Sequence, residues 1–464
     1  MRTLVIFKNN LRYNDNPVLF HASKYDNLIP IYIHDTENIK KQLGSASKYW
    51  LYKALQNLNK KLNQKMLFFK GNSLSIISEL IIKHNISKVF MEQAYTPDEI
   101  NLQKKIYYQL TNLDIELKLY NCSLLWEPKY IQKNDGTPYR VFSPFYKKGC
   151  LQQFNEPDRP VGVPKELNFA DIKNNKSLQS LQSLQLLSKY SWYSKFEKYW
   201  NISELAAMSL FKKFLKKSIF DYKTKRDFPY LNKNSSMSPY IRFGMISIHR
   251  MWRELNKLHF NESIEHYKSE LGWREFSYYL LFHFPEIEYD NFQKKFNNFD
   301  WENDLEKFVA WKTGKTGYPI IDAGMRELWE TGFIHNRVRM VVGSFLVKNL
   351  SIDWRLGEKW FWDCLVDADY ASNIASWQWV AGTGADAAPY FRIFNPILQG
   401  QKFDPIGIYT NKYIPELKEI PLQLLQKPWE SKNKFDYPSP IIDYKESREK
   451  ALLKYQSIRS FDNT

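Results

Sequence analysis

The sequence predicts two domains of different class. An α/β domain with a parallel five-stranded sheet is expected over residues 1–130, and a mainly α-helical domain over 191–464, with a long connection across 131–190. Three observations carry this. The 464 residues exceed the usual size of one hydrophobic core. The first part alternates short β-type runs with longer polar-apolar stretches. Beyond 190, Phe, Leu, Tyr and Trp recur at three- and four-residue spacings.

In chain order, the β-type runs are TLVIF (3–7), LIPIYI (28–33), MLFFK (66–70), KVFM (88–91) and IELKLY (115–120). Strands alternating with helices imply a Rossmann-like parallel sheet covered on both faces. The first strand leads into KNNLRYNDN, which has no glycine, so a conventional dinucleotide fingerprint is absent. Residues 131–190 degrade into Pro, Lys, Asn and Gln, including SLQSLQSLQ (177–185), and read as a connection with one short helix. Helical spacing then runs through 196–218, 246–258, 264–284, 320–331 and 337–350.

Composition narrows the function. The early apolar run Leu4 to Phe7 is too short for a secretory signal, and no run approaches the roughly 18 apolar residues of a membrane span, so a cytoplasmic protein is expected. Cys122, Cys150 and Cys364 form no C-x-x-C pair, and the eight histidines contain no H-E-x-x-H; no disulfide framework or metal site is expected. The net charge of +16 suits a nucleic-acid partner. A chain rich in Lys, Asn and Ile gives the same sign for an ordinary solvated surface. Arginine is more informative: ten of the sixteen fall between Arg226 and Arg392, and its planar fork recognises phosphate. Eight of the fifteen tryptophans lie between Trp301 and Trp379. Any one of them serves a core equally well.

Two glycine clusters are decoys. GKTGYP would need glycine at 309 for a phosphate loop, where Val309 stands. Gly382, Gly384 and Ala387 fit G-x-G-x-x-A but follow a helical pattern rather than a strand.

Helical residues three or four apart share a face, whereas residues two apart point about 200° from each other. In DADYASNIASWQW (367–379), Asp369, Asn373 and Trp377 form one stripe, with Trp379 nearly opposite Trp377. In HNRVRM, Asn336, Arg337 and Met340 group together and Arg339 points elsewhere. ELGWREFS puts Glu270, Trp273, Arg274 and Ser277 on one stripe. Alone, Glu270–Arg274 reads equally as an exposed i, i+4 pair, and Arg339 as a salt bridge to an acid such as Asp367. Together the stripes describe a concave site for a planar ligand, with apolar walls and convergent polar groups.

These residues closely resemble the photolyase/cryptochrome family, specifically the bacterial class I cyclobutane pyrimidine dimer photolyases. The resemblance runs from LVIFKNNLRYNDN to DYPSPIIDYKESR and is strongest in RDFP (226–229), ELGWREF (270–276), WKTGKTGYPIIDAGMR (311–326), HNRVRM (335–340) and WQWVAGTGADAAPYFRIFNP (377–396). It implies a helical domain that holds folded FAD. By similarity, Tyr222, the loop Asn234, Ser235, Ser236, Met237 and Ser238, Tyr267, Arg339, Asp367, Ala368, Asp369 and Asn373 surround FAD. Asn373 is implied at the flavin N5, and Arg339 paired to Asp367. Trp301, Trp354 and Trp377 match the chain that carries electrons to the flavin. Glu270, Trp273, Asn336, Arg337, Met340 and Trp379 are implied on the pocket for a flipped-out dimer, with Arg226, Arg274 and Gln399 as further DNA contacts. The implied activity is that of a carbon–carbon lyase: light-driven repair of pyrimidine dimers in DNA by a monomer, with Glu270, Asn373 and Met340 at the chemistry. The alternative is a cryptochrome-type blue-light photoreceptor; retained Glu270, Met340 and both substrate-side tryptophans favour the enzyme, as does the absence of a long signalling tail after Thr464. A flavin oxidoreductase acting on small molecules would explain neither the Arg-rich helical domain nor Trp379. Asn336 and Met340 resemble dimer-repairing rather than (6-4) enzymes, which carry an extra histidine here.

There are departures from the family pattern. NSSMS stands where many relatives have TSRLS, so Asn234 replaces a threonine and Ser236 an arginine. Asn10 occupies the place of a usual acidic residue. Asp98 and Glu99 stand for the Asn-Glu pair of folate-binding relatives, and Glu288 and Tyr289 for a Cys-Lys pair. The antenna chromophore therefore stays open between methenyltetrahydrofolate, a deazaflavin and none.

Overall fold

The computed structural model describes residues 2–153, 156–172, 180–188 and 190–459. The β-type runs form β1 (Arg2–Phe7), β2 (Leu28–Asp35), β3 (Leu67–Gly71), β4 (Ile86–Glu92) and β5 (Glu116–Tyr120). They pair in parallel in the order β3-β2-β1-β4-β5. Helices α1 (Pro17–Ala22), α2 (Ser45–Lys61), α3 (Ser73–His84) and α4 (Pro97–Asn112) occupy the crossovers. Covered on both faces, β1 is apolar from Leu4 to Phe7, and Leu4 and Val5 are fully buried. Strand order reverses at β1, where such sheets open a crevice beyond their carboxyl ends.

The glycine-free loop after β1 docks the two domains. Arg12 is almost completely buried and donates to the carbonyls of Asp15 (2.8 Å), Gly244 (3.0 Å) and Cys122 (3.2 Å). Gly244 must be glycine: its φ is +61°, and a Cβ would lie 1.8 Å from the Asn9 carbonyl oxygen. Asn10, in its acid-to-amide departure, accepts from the Lys8 N–H and donates to Asn16, which caps α1.

The connection is packed rather than loose. Pro128–Tyr130, Phe142–Pro144 and Phe145–Gln152 are helical turns, and Ala170 N–H donates to Leu28 O beside β2. Of the repeat at 177–185, residues 177–179 lie outside the described residues; Leu181–Leu184 forms the short helix. Residues 460–464 also lie outside them.

The helical domain includes α5 (Glu262–His283), α6 (Leu305–Thr313), α7 (Pro319–Thr331), α8 (Asn336–Ser344), α9 (Trp354–Cys364), α10 (Tyr370–Ala381) and α11 (Pro396–Phe403). Both glycine decoys have structural duties. Gly314 and Gly382, at φ +64° and +84°, end α6 and α10. In GKTGYP, the Thr316 and Gly317 N–H groups and the Thr316 hydroxyl all bond the buried Asp322 carboxylate, at 2.6–3.0 Å. No helix among the described residues is long and apolar enough to cross a membrane.

At the domain junction, buried Glu275 accepts from Leu125 N–H (2.8 Å), Trp126 N–H (3.3 Å) and Arg274 (3.0 Å). Burial nevertheless pushes its pKa up to about 7. A carboxyl with a raised folded pKa holds its proton in the folded state after the unfolded chain has lost it. Its contribution is therefore full below the unfolded value of about 4.3 and declines as pH rises towards 7. Thermal melts should show this loss in the parent protein, and Glu275→Gln should flatten the profile between those pH values; identical slopes would refute the assignment.

Candidate functional site

The site is organised around α10. Asp369 caps it: its carboxylate accepts from Ser372 N–H (2.9 Å) and from the Tyr278 hydroxyl of α5 (2.6 Å). Burial alone would raise this carboxyl, but Arg274, Arg242 and the Tyr278 hydrogen bond hold it below its ordinary value. Arg242 donates to Ala368 O (2.9 Å) and Asn9 Oδ1 (2.8 Å), tying this segment to the first loop. Arg339 makes a two-oxygen contact with Asp367 (2.8 and 3.1 Å) and also donates to Ile334 O. The Ser238 hydroxyl donates to the same Asp367 at 2.5 Å. The loop 234–238 is thereby joined to 367–369, and Ser236 adopts a left-handed φ of +54°. Tyr222 and Tyr267 are buried and meet edge to face at 5.2 Å.

One stripe of α10 packs on α9. Asn373 donates both of its amide contacts to Glu358, at the carboxylate (2.7 Å) and the carbonyl (3.1 Å). Trp377, only 3% exposed, meets Phe361 at 4.9 Å and Trp311 at 6.2 Å. A Cβ at Gly357 would lie 2.2 Å from the Trp377 ring, so glycine there admits the indole. Trp354 is buried at the start of α9 and donates to Asn291 Oδ1 at 2.9 Å. Trp301 is partly exposed and packs on Phe299 at 4.3 Å. Trp379 leaves the opposite side of α10 and is partly exposed.

A charged rim lies beyond. Arg226 contacts both carboxylate oxygens of Glu270, approaches His266 Nε2 at 2.8 Å and lies over the Tyr222 ring. Arg337 pairs with Asp227 and covers the Phe403 ring at 4.6 Å, beside Gln399 on α11. Asn336 is exposed, Met340 partly so. Trp273 stacks on Phe142 at 3.9 Å and 12°. Asp227 and Phe142 were not singled out from sequence. Arg274 needs correction: expected with the DNA-facing residues, it points into the domain junction. There it donates to Ser123 O (2.7 Å), pairs with Glu275 and covers the Tyr278 ring. Its i, i+4 partner is not Glu270, because Arg226 takes that carboxylate.

The crevice beyond the strands is lined by Lys8, Asn9, His34, Asp35, Asp98 and Glu99, and reaches Arg242, Tyr278, Trp362 and Tyr370 across the junction. Despite burial, Lys8 at 2.8 Å keeps the Glu99 carboxyl below its ordinary value. Asp98 accepts from Lys40 N–H at 2.8 Å. Among the described residues, no group of three or more His, Cys, Asp or Glu is placed to hold a metal ion.

This pairing of a five-stranded parallel sheet with a helical domain is the architecture of the photolyase/cryptochrome fold. Residues 3–164 match the family described as DNA photolyase, and 267–457 that described as the FAD binding domain of DNA photolyase. The chain belongs to the DNA photolyase family. It is 38% identical over 473 residues to the deoxyribodipyrimidine photo-lyase of Agrobacterium fabrum, covering 98% of each chain. Cryptochrome-2 of Arabidopsis thaliana is 31% identical over 97% of this chain and 78% of its own. A solved structure described as a bacterial class III photolyase from Agrobacterium tumefaciens superposes with a TM-score of 0.93 at 37% identity, covering 99% of this chain and 98% of that one. The motifs had pointed to class I; the comparisons establish the family.

Proposed function

We propose that this protein repairs cyclobutane pyrimidine dimers in DNA under blue light, acting as a deoxyribodipyrimidine photo-lyase with FAD held around α10. The observation that carries the reading is the division of α10, with Asn373 and Trp377 buried against α9 and Trp379 partly exposed on the other side.

The chain's groups suit FAD. Both amide contacts of Asn373 go to Glu358, leaving its carbonyl oxygen for a ring N–H. Tyr222, Tyr267, the loop Asn234–Ser238 and the segment 367–369 would enclose the cofactor. Bound, reduced and light-excited, FAD supplies the electron that splits the cyclobutane ring and recovers it afterwards, so the cycle is redox-neutral.

The remaining roles belong to the protein. A dimer stacks poorly in duplex DNA, so extruding it costs only about a few kcal/mol, and the faces of Trp273 and Trp379 replace lost stacking. Glu270 accepts from a pyrimidine edge once Arg226 turns towards a phosphate. Arg337, Asn336 and Gln399 extend the contact, and Met340 adds an apolar wall. Trp301, Trp354 and Trp377 deliver electrons to the cofactor. A folate or deazaflavin antenna in the sheet crevice, beside Asp98 and Glu99, completes the proposal.

The match to a plant cryptochrome supports a second reading, a photoreceptor without repair. Illuminated, FAD-loaded protein should remove cyclobutane dimers from an oligonucleotide and leave (6-4) products intact. Dimers that persist at full FAD occupancy would favour the photoreceptor.

A further inference from the structure

The segment between β2 and α2, together with the first turn of α2, belongs to the sheet domain but is fastened to the C-terminal end of α9 and the residue after it. Ser45 N–H and Oγ both bond Asp363 Oδ1, at 2.8 and 2.9 Å, and Ser47 Oγ donates to Leu365 O at 3.1 Å. Trp362 Nε1 donates back to Gln42 O at 2.8 Å. Gly44 lies so close that a Cβ would sit 2.1 Å from the Trp362 carbonyl oxygen. These contacts clasp the segment to α9 at several points.

Within it, Lys41 Nζ lies 2.5 Å from Glu358 Oε1, and 4.9 and 5.0 Å from the ring centres of Trp362 and Tyr370. The same Glu358 oxygen accepts from Asn373 Nδ2 at 2.7 Å. Lysine, carboxylate and amide thus form one relay from the sheet domain to α10. An amide's orientation is fixed by its hydrogen-bond network. With the –NH₂ of Asn373 turned to Glu358, its Oδ1 faces the other way.

We propose that Lys41 is a positioning residue of the flavin site: it pins the Glu358 side chain, which holds the Asn373 amide with its carbonyl oxygen towards the flavin. This rests on the reading that Asn373 faces the flavin N5. A reduced flavin carries hydrogen at N5 and can donate to that oxygen. An oxidised flavin offers only a lone pair there, which a carbonyl does not satisfy. The relay therefore favours the reduced cofactor that the proposed reaction uses. Without Lys41, Glu358 loses the cation that orients its carboxylate; the Glu358 carbonyl still accepts from Asn373 at 3.1 Å, but the amide loses the fixed, charge-assisted one of its two anchors and turns more readily to present –NH₂ to the oxidised ring.

A merely structural bridge between domains would alter the melting temperature without altering the cofactor's redox balance. The test is the midpoint potential of FAD in holoprotein carrying Lys41→Met, Lys41→Arg, Glu358→Gln or Asn373→Leu, each with its FAD content measured; Lys41→Gln replaces Lys41→Met should the latter not retain FAD. K41M should lower the two-electron potential by about 30 mV for each tenfold loss of preference for the reduced form, and K41R should restore it. A parental potential in K41M, with E358Q or N373L shifted, overturns the role of Lys41 and leaves Asn373 at the flavin. Parental potentials in all four variants overturn the placement of Asn373 as well.

Discussion

Asp369→Ala should unfold the helical domain at lower temperature and abolish FAD retention. The carboxylate is buried, caps α10 and stands between Arg242 and Arg274, with Arg242 Nε at 4.0 Å. Removing one member of such a buried charged cluster leaves the others uncompensated, at a cost of about 3–5 kcal/mol. The lost cap adds to this, typically about 1 kcal/mol. Because α10 carries Asn373, Trp377 and Trp379, its displacement disturbs both proposed faces together. The pH dependence has a definite sign. The folded pKa of Asp369 lies below its unfolded value, so its contribution is fully present above roughly pH 4 and is lost as pH falls through the folded value. Thermal melts of parent and Asp369→Asn should therefore converge in acid and separate towards neutrality. A constant gap across that range would show that the charge is not what matters.

The second large effect separates the two tryptophans of α10. Trp379→Ala should weaken binding to dimer-containing DNA by about 1–3 kcal/mol, the range for loss of one base–aromatic stack, while cofactor photoreduction continues at the parental rate. Trp377→Phe should have the reverse phenotype. Trp377 is packed on Phe361 and Trp311 and has no surface to offer DNA, whereas Trp379 is exposed enough to meet a base. Gel-shift titration and absorbance under blue light measure the two quantities. Matching phenotypes would contradict the division of α10.

Much of this was legible in the sequence because the signals were local. The β-type runs survive to within two residues at either end, since the central strands β1 and β2 are buried on both faces and carry apolar residues on both, while the edge strands β3 and β5 keep shorter apolar stretches. The opposition of Trp377 and Trp379 follows from helix geometry alone. What stayed hidden was which distant segment meets each polar group. Helical spacing placed Glu270 and Arg274 together, yet Arg226, from 44 residues earlier, takes Glu270, while Arg274 turns to Ser123 and Glu275. The glycine-free KNNLRYNDN pointed away from a dinucleotide fingerprint, but nothing local reveals that Arg12 would bind three carbonyls across the junction. Lys41 and Glu358 are separated by 317 residues and carry no motif. Long-range partners of this kind depend on how the two domains dock.

Light-driven dimer repair is tested most directly by binding the reduced, FAD-loaded protein in the dark to an oligonucleotide with one thymine dimer, then exposing half of the sample to blue light. The proposed function predicts that the dimer persists in the dark and is restored to two thymines in the light. Dimer loss in the dark, or an intact dimer after illumination of the bound complex, would contradict it.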